Sequence, residues 1–136
     1  MEFKIVELSD DQLTMVEEKL EAHDEAYTHY PVEGSIRIGI GHNGELIAGA
    51  DADVTTFKIL YVSTVYVNEE FRGQGLGRKL MAELENRAKS LGVNTIRLDT
   101  FNWQGSGFYP KVGYIEVGKY ENEEDGYSEH FFVKRI

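Results

Sequence analysis

The chain has 136 residues, no cysteine, and 24 acidic against 14 basic side chains, for a formal net charge of −10. That length suits one domain spanning residues 1–136 with a proper core, the 41% hydrophobic content is that of an ordinary globular protein, and neither disulfides nor disorder is indicated. The acidic balance opposes nucleic acid, no apolar run is long enough to span a bilayer, and no basic-then-apolar leader opens the chain, so the expectation is a cytoplasmic protein with no membrane partner.

In chain order, residues 2–8 alternate as a strand would, with Phe3 and Ile5 on one side and Lys4, Val6 and Leu8 on the other. Ser9 or Asp10 can cap a helix over about 11–26, whose Leu13, Val16 and Leu20 give an apolar stripe. Residues 27–34 break the pattern and read as a loop or short helix. Three strands follow at 35–42, 46–55 and 58–67, the first two joined by the hairpin signal Asn43-Gly44. A helix over 76–91 carries Leu76, Leu80, Leu84, Ala88 and Leu91 on one face, and Gly92 ends it. Residues 95–100 make a strand, 104–112 a short helix, and 114–120 with 128–135 a terminal hairpin around an acidic turn. Strand, helix, strand across 58–100 implies a right-handed crossover, hence a parallel pair inside an otherwise antiparallel sheet.

Between the third strand and the long helix lies Arg72-Gly73-Gln74-Gly75-Leu76-Gly77. Its glycines remove the Cβ atoms that would hold an anion away from the backbone, and the helix starting there aims free N–H groups and a positive dipole end at it. The loop therefore reads as a pyrophosphate cradle. A Walker loop needs Lys and then Ser or Thr after its last glycine, whereas Arg78 and Lys79 follow Gly77; a dinucleotide fingerprint starting at Gly73 needs Gly or Ala at position 78.

The spacing of Arg72, Gly75 and Gly77 after a strand ending in Val65-Tyr66-Val67 instead resembles the acetyl-CoA loop of the GNAT superfamily of N-acetyltransferases. A second block, Asn102-Trp103-Gln104-Gly105-Ser106-Gly107-Phe108-Tyr109-Pro110-Lys111-Val112-Gly113-Tyr114, resembles the other GNAT signature, in which Asn begins a short helix and aromatic-Tyr-x-Lys-x-Gly-aromatic closes it. Gly105 replaces the alanine usual in that pattern and lowers helix propensity there. The last strand, from Ser128 to Ile136, is similar to that of a group of small bacterial members, and the resemblance runs over roughly residues 36 to 136.

The resemblance implies a mixed α/β fold: a central, mostly antiparallel sheet with helices on both faces and a splayed parallel strand pair that admits the pantetheine arm. It implies an acetyl-CoA-dependent N-acetyltransferase, moving the acetyl group to an amine of a small-molecule or protein acceptor by direct attack in a ternary complex. The alternative is a non-catalytic acyl-CoA-binding module or sensor. On this reading Val65, Tyr66 and Val67 line the slot, Arg72, Gly73, Gln74, Gly75, Leu76, Gly77 and Arg78 hold the pyrophosphate, and Asn102 and Tyr109 complete the cofactor contacts. Tyr109 matches the tyrosine that can protonate the leaving thiolate. Spacing marks no general base; Asp99, His130, Glu129 and Glu33 are the candidates.

The acceptor is expected to be an amine, favoured as a cation by the acidic turn, meeting Tyr30, Glu33, Glu129 and His130. His23, His29 and His42 show no ligand spacing, so no metal is expected. Trp103 and the tyrosines at 27, 30, 61 and 66 read first as core filling and second as an aromatic acceptor pocket. The assembly is expected to be a monomer or a homodimer.

Overall fold

In the computed structural model, which describes residues 1–28 and 32–136, the chain forms two units, Met1–Pro31 and Val32–Ile136. The first carries α1 (Asp10–Asp24), opened by a reciprocal cap: Ser9 Oγ accepts the Gln12 N–H at 3.2 Å and Gln12 Oε1 accepts the Ser9 N–H at 2.9 Å. Residues 2–8, read as a strand from their alternation, form none; among the described residues of their unit there is no second strand for them to pair with.

The second unit contains β1 (Ser35–His42), β2 (Glu45–Val54), β3 (Ile59–Val67), α2 (Leu76–Ser90), β4 (Thr95–Phe101), β5 (Ile115–Asn122) and β6 (Tyr127–Arg135). They make one six-stranded sheet in the order β1-β2-β3-β4-β6-β5, antiparallel except for β3 beside β4. Asn43 and Gly44 both take positive φ, 51° and 78°, as a two-residue hairpin turn requires. α2 packs on β1, β2 and β3 through Leu80, Met81, Leu84 and Ala88, and the small residues Ala50 and Ala52 let the helix approach closely. Leu60, Val62, Ile96, Leu98 and Phe132 complete the same core.

The parallel pairing is short. Ile59 to Val62 face Thr95 to Leu98, and beyond these four residue pairs β3 continues along β2 alone while β4 continues along β6. The register between β2 and β3 jumps from Asp51 opposite Thr64 to Ala52 opposite Val62, so Ser63 is an extra residue at the point where the strands part. A bulge bends the strand that carries it. The expected splayed pair is therefore present, opening beyond Val62 and Leu98.

Residues 102–108 are turns rather than a helix, and only Tyr109–Val112 makes a 3₁₀ turn. Gly105 and Gly107 weaken helix there and Pro110 can donate no backbone hydrogen bond. Asn102 accordingly caps no helix.

Candidate active site

Each glycine of the cradle has its own physical reason. Gly73 and Gly75 take φ of 78° and 81°, and a Cβ built on either meets nothing within 4 Å, so both face open space at the start of α2. Gly77 differs: a Cβ there would stand 3.2 Å from the Phe108 ring, so this glycine lets α2 pack against the 102–114 segment and does not clear room for an anion. Arg72 is tethered, with Nε donating to the Val67 carbonyl at 2.9 Å and the guanidinium 5.4 Å from the Tyr66 ring centre. Arg78 Nη2 donates to the Lys111 carbonyl at 3.3 Å, joining the helix start to the 3₁₀ turn. The cradle's unpaired groups are its backbone N–H groups, as at any helix N-terminus.

Val65, Tyr66 and Val67 lie on the part of β3 that β4 has left, with Gln74 exposed and Leu76 half-buried at the helix start. Tyr109 sits across the sheet on the α2 side. Its ring is buried against Phe108, Tyr114 and Phe132, with centroids 5.2, 5.6 and 5.8 Å away. Burial pushes its phenol up to about 12, so the group holds its proton throughout the working pH range. Gly105 explains how the ring fits: an alanine Cβ would come 2.7 Å from Tyr109 Cε2. Asn102 is committed to β6, its Oδ1 accepting the Ser128 N–H and its own N–H donating to the Ser128 carbonyl, both at 3.0 Å.

The candidate bases fall on opposite faces. Along β4, Ile96, Leu98 and Thr100 are buried on the α2 face, while Arg97 and Asp99 point the other way. Asp99 accepts the Tyr61 hydroxyl at 2.9 Å, beneath an Arg97 guanidinium 4.5 Å from the Tyr61 ring centre; partial burial, and then that carboxylate, raise the Tyr61 phenol. Glu129 shares the Asp99 face and accepts the Tyr120 hydroxyl at 2.6 Å, a bond that pushes Tyr120 up to about 12.

His130 stands opposite Thr100, on the Tyr109 face and in the splayed part of the sheet. Both its ring nitrogens are engaged: Nδ1 with Glu116 Oε1 and Nε2 with Ser128 Oγ, the latter at 2.8 Å. Ser128 in turn lines a cleft of about 240 Å³ at the tip of the β5–β6 hairpin, together with Asn102, Glu121, Glu123 and Tyr127.

Two expectations are not met. Glu33 precedes β1 at the end of the sheet where β3 and β4 begin, as the pairs Ser35 with Asp53, Asp53 with Tyr61 and Tyr61 with Arg97 fix, whereas Glu129 and His130 lie at the other end beside Phe101 and Thr100. One compact site does not hold them all. Trp103 and Tyr66, read first as core, are 65% and 54% exposed, as is Tyr27 at 65%; Tyr61 is half-buried, and Tyr30 lies outside the described residues.

The model of the Acetyltransferase (GNAT) family matches residues 4–114. The chain belongs to the GNAT family of acetyltransferases. A relative from Streptomyces morookaense described as blasticidin-S acetyltransferase is 32% identical over 107 residues, 78% of this chain and 78% of its own length. The crystal structure of an acetyltransferase from Bacillus cereus ATCC 14579 superposes with a TM-score of 0.88 at 28% identity, covering 98% of each chain. An aminoglycoside 6'-N-acetyltransferase complexed with coenzyme A shares the fold, with a TM-score of 0.66 at 21% identity over 90% of this chain and 84% of that one.

As a GNAT acetyltransferase the protein is an enzyme that transfers an acetyl group from acetyl-CoA to an amine nitrogen, and the reading as a non-catalytic binding module is not favoured. The residues present fit acetyl-CoA: open space stands where the Gly73 and Gly75 side chains would be, and β3 beyond Val62 has a free edge facing β4. Sequence reasoning missed Glu116 and Ser128. The i, i+2 placement of Ser128 and His130 on one strand face was a readable signal for the second of these. Glu116 was not readable, because the β-bulge between Glu116 and Gly118 sets its register.

Proposed function

We propose that this GNAT enzyme acetylates a cationic amine by direct attack with both substrates bound, using His130 as the base and Tyr109 as the acid. The observation that carries the assignment is the hydrogen-bonded series Glu116, His130, Ser128, which begins on β5, crosses β6 on the Tyr109 face and ends at the hairpin cleft. A carboxylate can only accept, so Glu116 fixes the tautomer with the proton on Nδ1 and leaves Nε2 to receive one. An ammonium in the cleft donates to Ser128 Oγ, and the Ser128 hydroxyl proton passes to Nε2; the net result is a neutral amine and a protonated His130 held by Glu116.

Acetyl-CoA supplies the acyl group as a thioester. Backbone N–H groups of residues 73–78 hold its pyrophosphate, the β3 edge from Val65 to Val67 aligns the pantetheine amides, and the Asn102 amide nitrogen remains as a donor beside it. The amine nitrogen bonds to the carbonyl carbon as the carbon–sulfur bond breaks; Tyr109, proton-loaded by burial, gives its proton to the sulfur, and the surplus proton that the acylated nitrogen sheds passes to solvent, from which Tyr109 is reprotonated. Asp99, on the opposite face and bonded to Tyr61, is not the base in this scheme.

The test is the pH profile of His130→Gln on a panel of amines, with blasticidin S, named in the Streptomyces relative's description, tried first. At neutral pH kcat/KM is expected to fall by about 10²- to 10⁴-fold. The deficit is expected to shrink as pH approaches the acceptor's own ammonium pKa, about 10 for an alkylamine, because a free amine needs no base. A deficit equal at every pH would assign His130 to packing and refute the proposal.

A further inference from the structure

Trp103 does not behave as core or as loop decoration. Its indole lies parallel to the Phe101 ring, with an interplanar angle of 1° and centroids 4.7 Å apart, and Tyr127 meets both rings edge-on at 6.4 and 5.6 Å. One face of the indole is thus covered by Phe101 and one edge by Tyr127, yet the residue is 65% exposed, which leaves its second face to solvent. Holding an aromatic flat and bare costs hydrophobic free energy that burying it would recover.

The platform is fixed at the cleft. Asn102, between the two stacked rings in sequence, is clamped to Ser128 by backbone and side-chain hydrogen bonds of 3.0 Å each, and Tyr127, the third ring, is itself a wall of the cleft. The other walls bring two carboxylates: Glu121, ion-paired at 3.4 Å with Lys119 Nζ, and Glu123, for which no cationic partner is found among the described residues. A flat π-face beside fixed negative charge selects a planar cation, through stacking and cation–π attraction together.

Resting on the reading of the cleft as the acceptor site, we propose that the free face of Trp103 binds a planar cationic group of the acceptor, a guanidinium or a protonated or quaternised heterocycle, while the amine to be acetylated reaches Ser128.

Trp103 is the only tryptophan of the chain, so its emission reports this site directly. The probe is 4-(aminomethyl)-1-methylpyridinium, planar and permanently charged; the comparator is its saturated dimethylpiperidinium analogue, equal in charge but not flat. Saturable quenching of Trp103 by the pyridinium is expected without acetyl-CoA, with binding weakened about tenfold by Glu121→Gln plus Glu123→Gln. Quenching that rises linearly, as for free tryptophan amide, overturns the proposal. In turnover, Trp103→Leu is expected to raise the KM for the pyridinium amine about tenfold, to raise that for the piperidinium amine, which keeps the cation–π attraction but cannot stack, by only about two- to threefold, and to be largely rescued by Trp103→Phe. A Trp103→Leu variant that instead loses affinity for acetyl-CoA, or changes neither KM, assigns the ring to donor binding or to packing and overturns it. The quenching arm needs no turnover, so it separates failure of this platform from failure of the proposed chemistry.

Discussion

Gly105→Ala puts back the residue that the family pattern carries at this place, and it is expected to harm this enzyme. The new Cβ would lie 2.7 Å from Tyr109 Cε2, 3.2 Å from Cδ2 and 3.5 Å from Thr100 Oγ1. Carbon–carbon contacts are comfortable from about 3.5 Å, so the ring or the loop must give way by about 0.8 Å. The ring has nowhere to go, because Phe108, Tyr114 and Phe132 enclose its other sides and the residue is 7% exposed. The loop is held as well: the Gly105 N–H donates to Thr100 Oγ1 at 3.0 Å. Overpacking of this size costs about 1–3 kcal/mol, which for a domain of this length lowers Tm by roughly 3–10 °C. A displacement near 1 Å of a group that meets the reacting atoms costs up to about 10²-fold in rate. Thermal melting with steady-state kinetics and acetyl-CoA titration checks this: Tm and kcat fall while acetyl-CoA affinity stays close to that of the unsubstituted enzyme. A variant as stable and as active as the parent would show that Tyr109 needs neither this position nor this glycine.

Two further outcomes are expected. Gly75→Val places a branched side chain in the open space of the cradle at a residue whose φ is 81°, and should abolish the rise in Tm on adding CoA while the free protein still folds; an undiminished rise would move the pyrophosphate elsewhere. Tyr114→Phe removes a buried hydroxyl that has no hydrogen-bond partner among the described residues, and should leave stability unchanged or raise it by up to about 1 kcal/mol, read by denaturant titration. Tyr114 and Tyr109 are both held above the ordinary phenol value, chiefly by burial, so their contribution is intact below about pH 10 and fades as pH rises past it; Tyr114→Phe should therefore also resist alkali better, and equal alkaline midpoints would contradict that.

What the sequence made legible is what periodicity and turn chemistry control. The apolar stripe of α2, the Asn43-Gly44 hairpin and the crossover that makes β3 and β4 parallel all appear as expected, because each is a local pattern with few competing solutions. Residues 2–8 misled because alternation states only that a segment could be a strand; hydrogen-bond partners decide whether it is. Trp103 misled because hydrophobicity is a preference for burial, and a site can hold an aromatic out in solvent. The proposed base was narrowed only by register: Thr100 opposite His130 and Asp99 opposite Phe131 send two candidates to opposite faces, and no spacing within one strand contains that information.

The short parallel seam has a further consequence. With α2 resting on β1 to β3 and the Tyr109–Val112 turn packing on β5, the sheet consists of two three-stranded leaves hinged along four residue pairs. On the β4 side Gln104 closes part of the inner margin, its Oε1 accepting the Phe101 N–H and its own N–H donating to the Phe101 carbonyl. By contrast, β3 past Val62 pairs with β2 alone and keeps an open edge, the kind of margin that on the outside of a protein invites other chains to add to it. Here it is recessed between the leaves, where a thin ligand arm can enter and another polypeptide's sheet cannot. The fold can thus keep a sticky edge permanently open for its substrate without exposing that edge to aggregation.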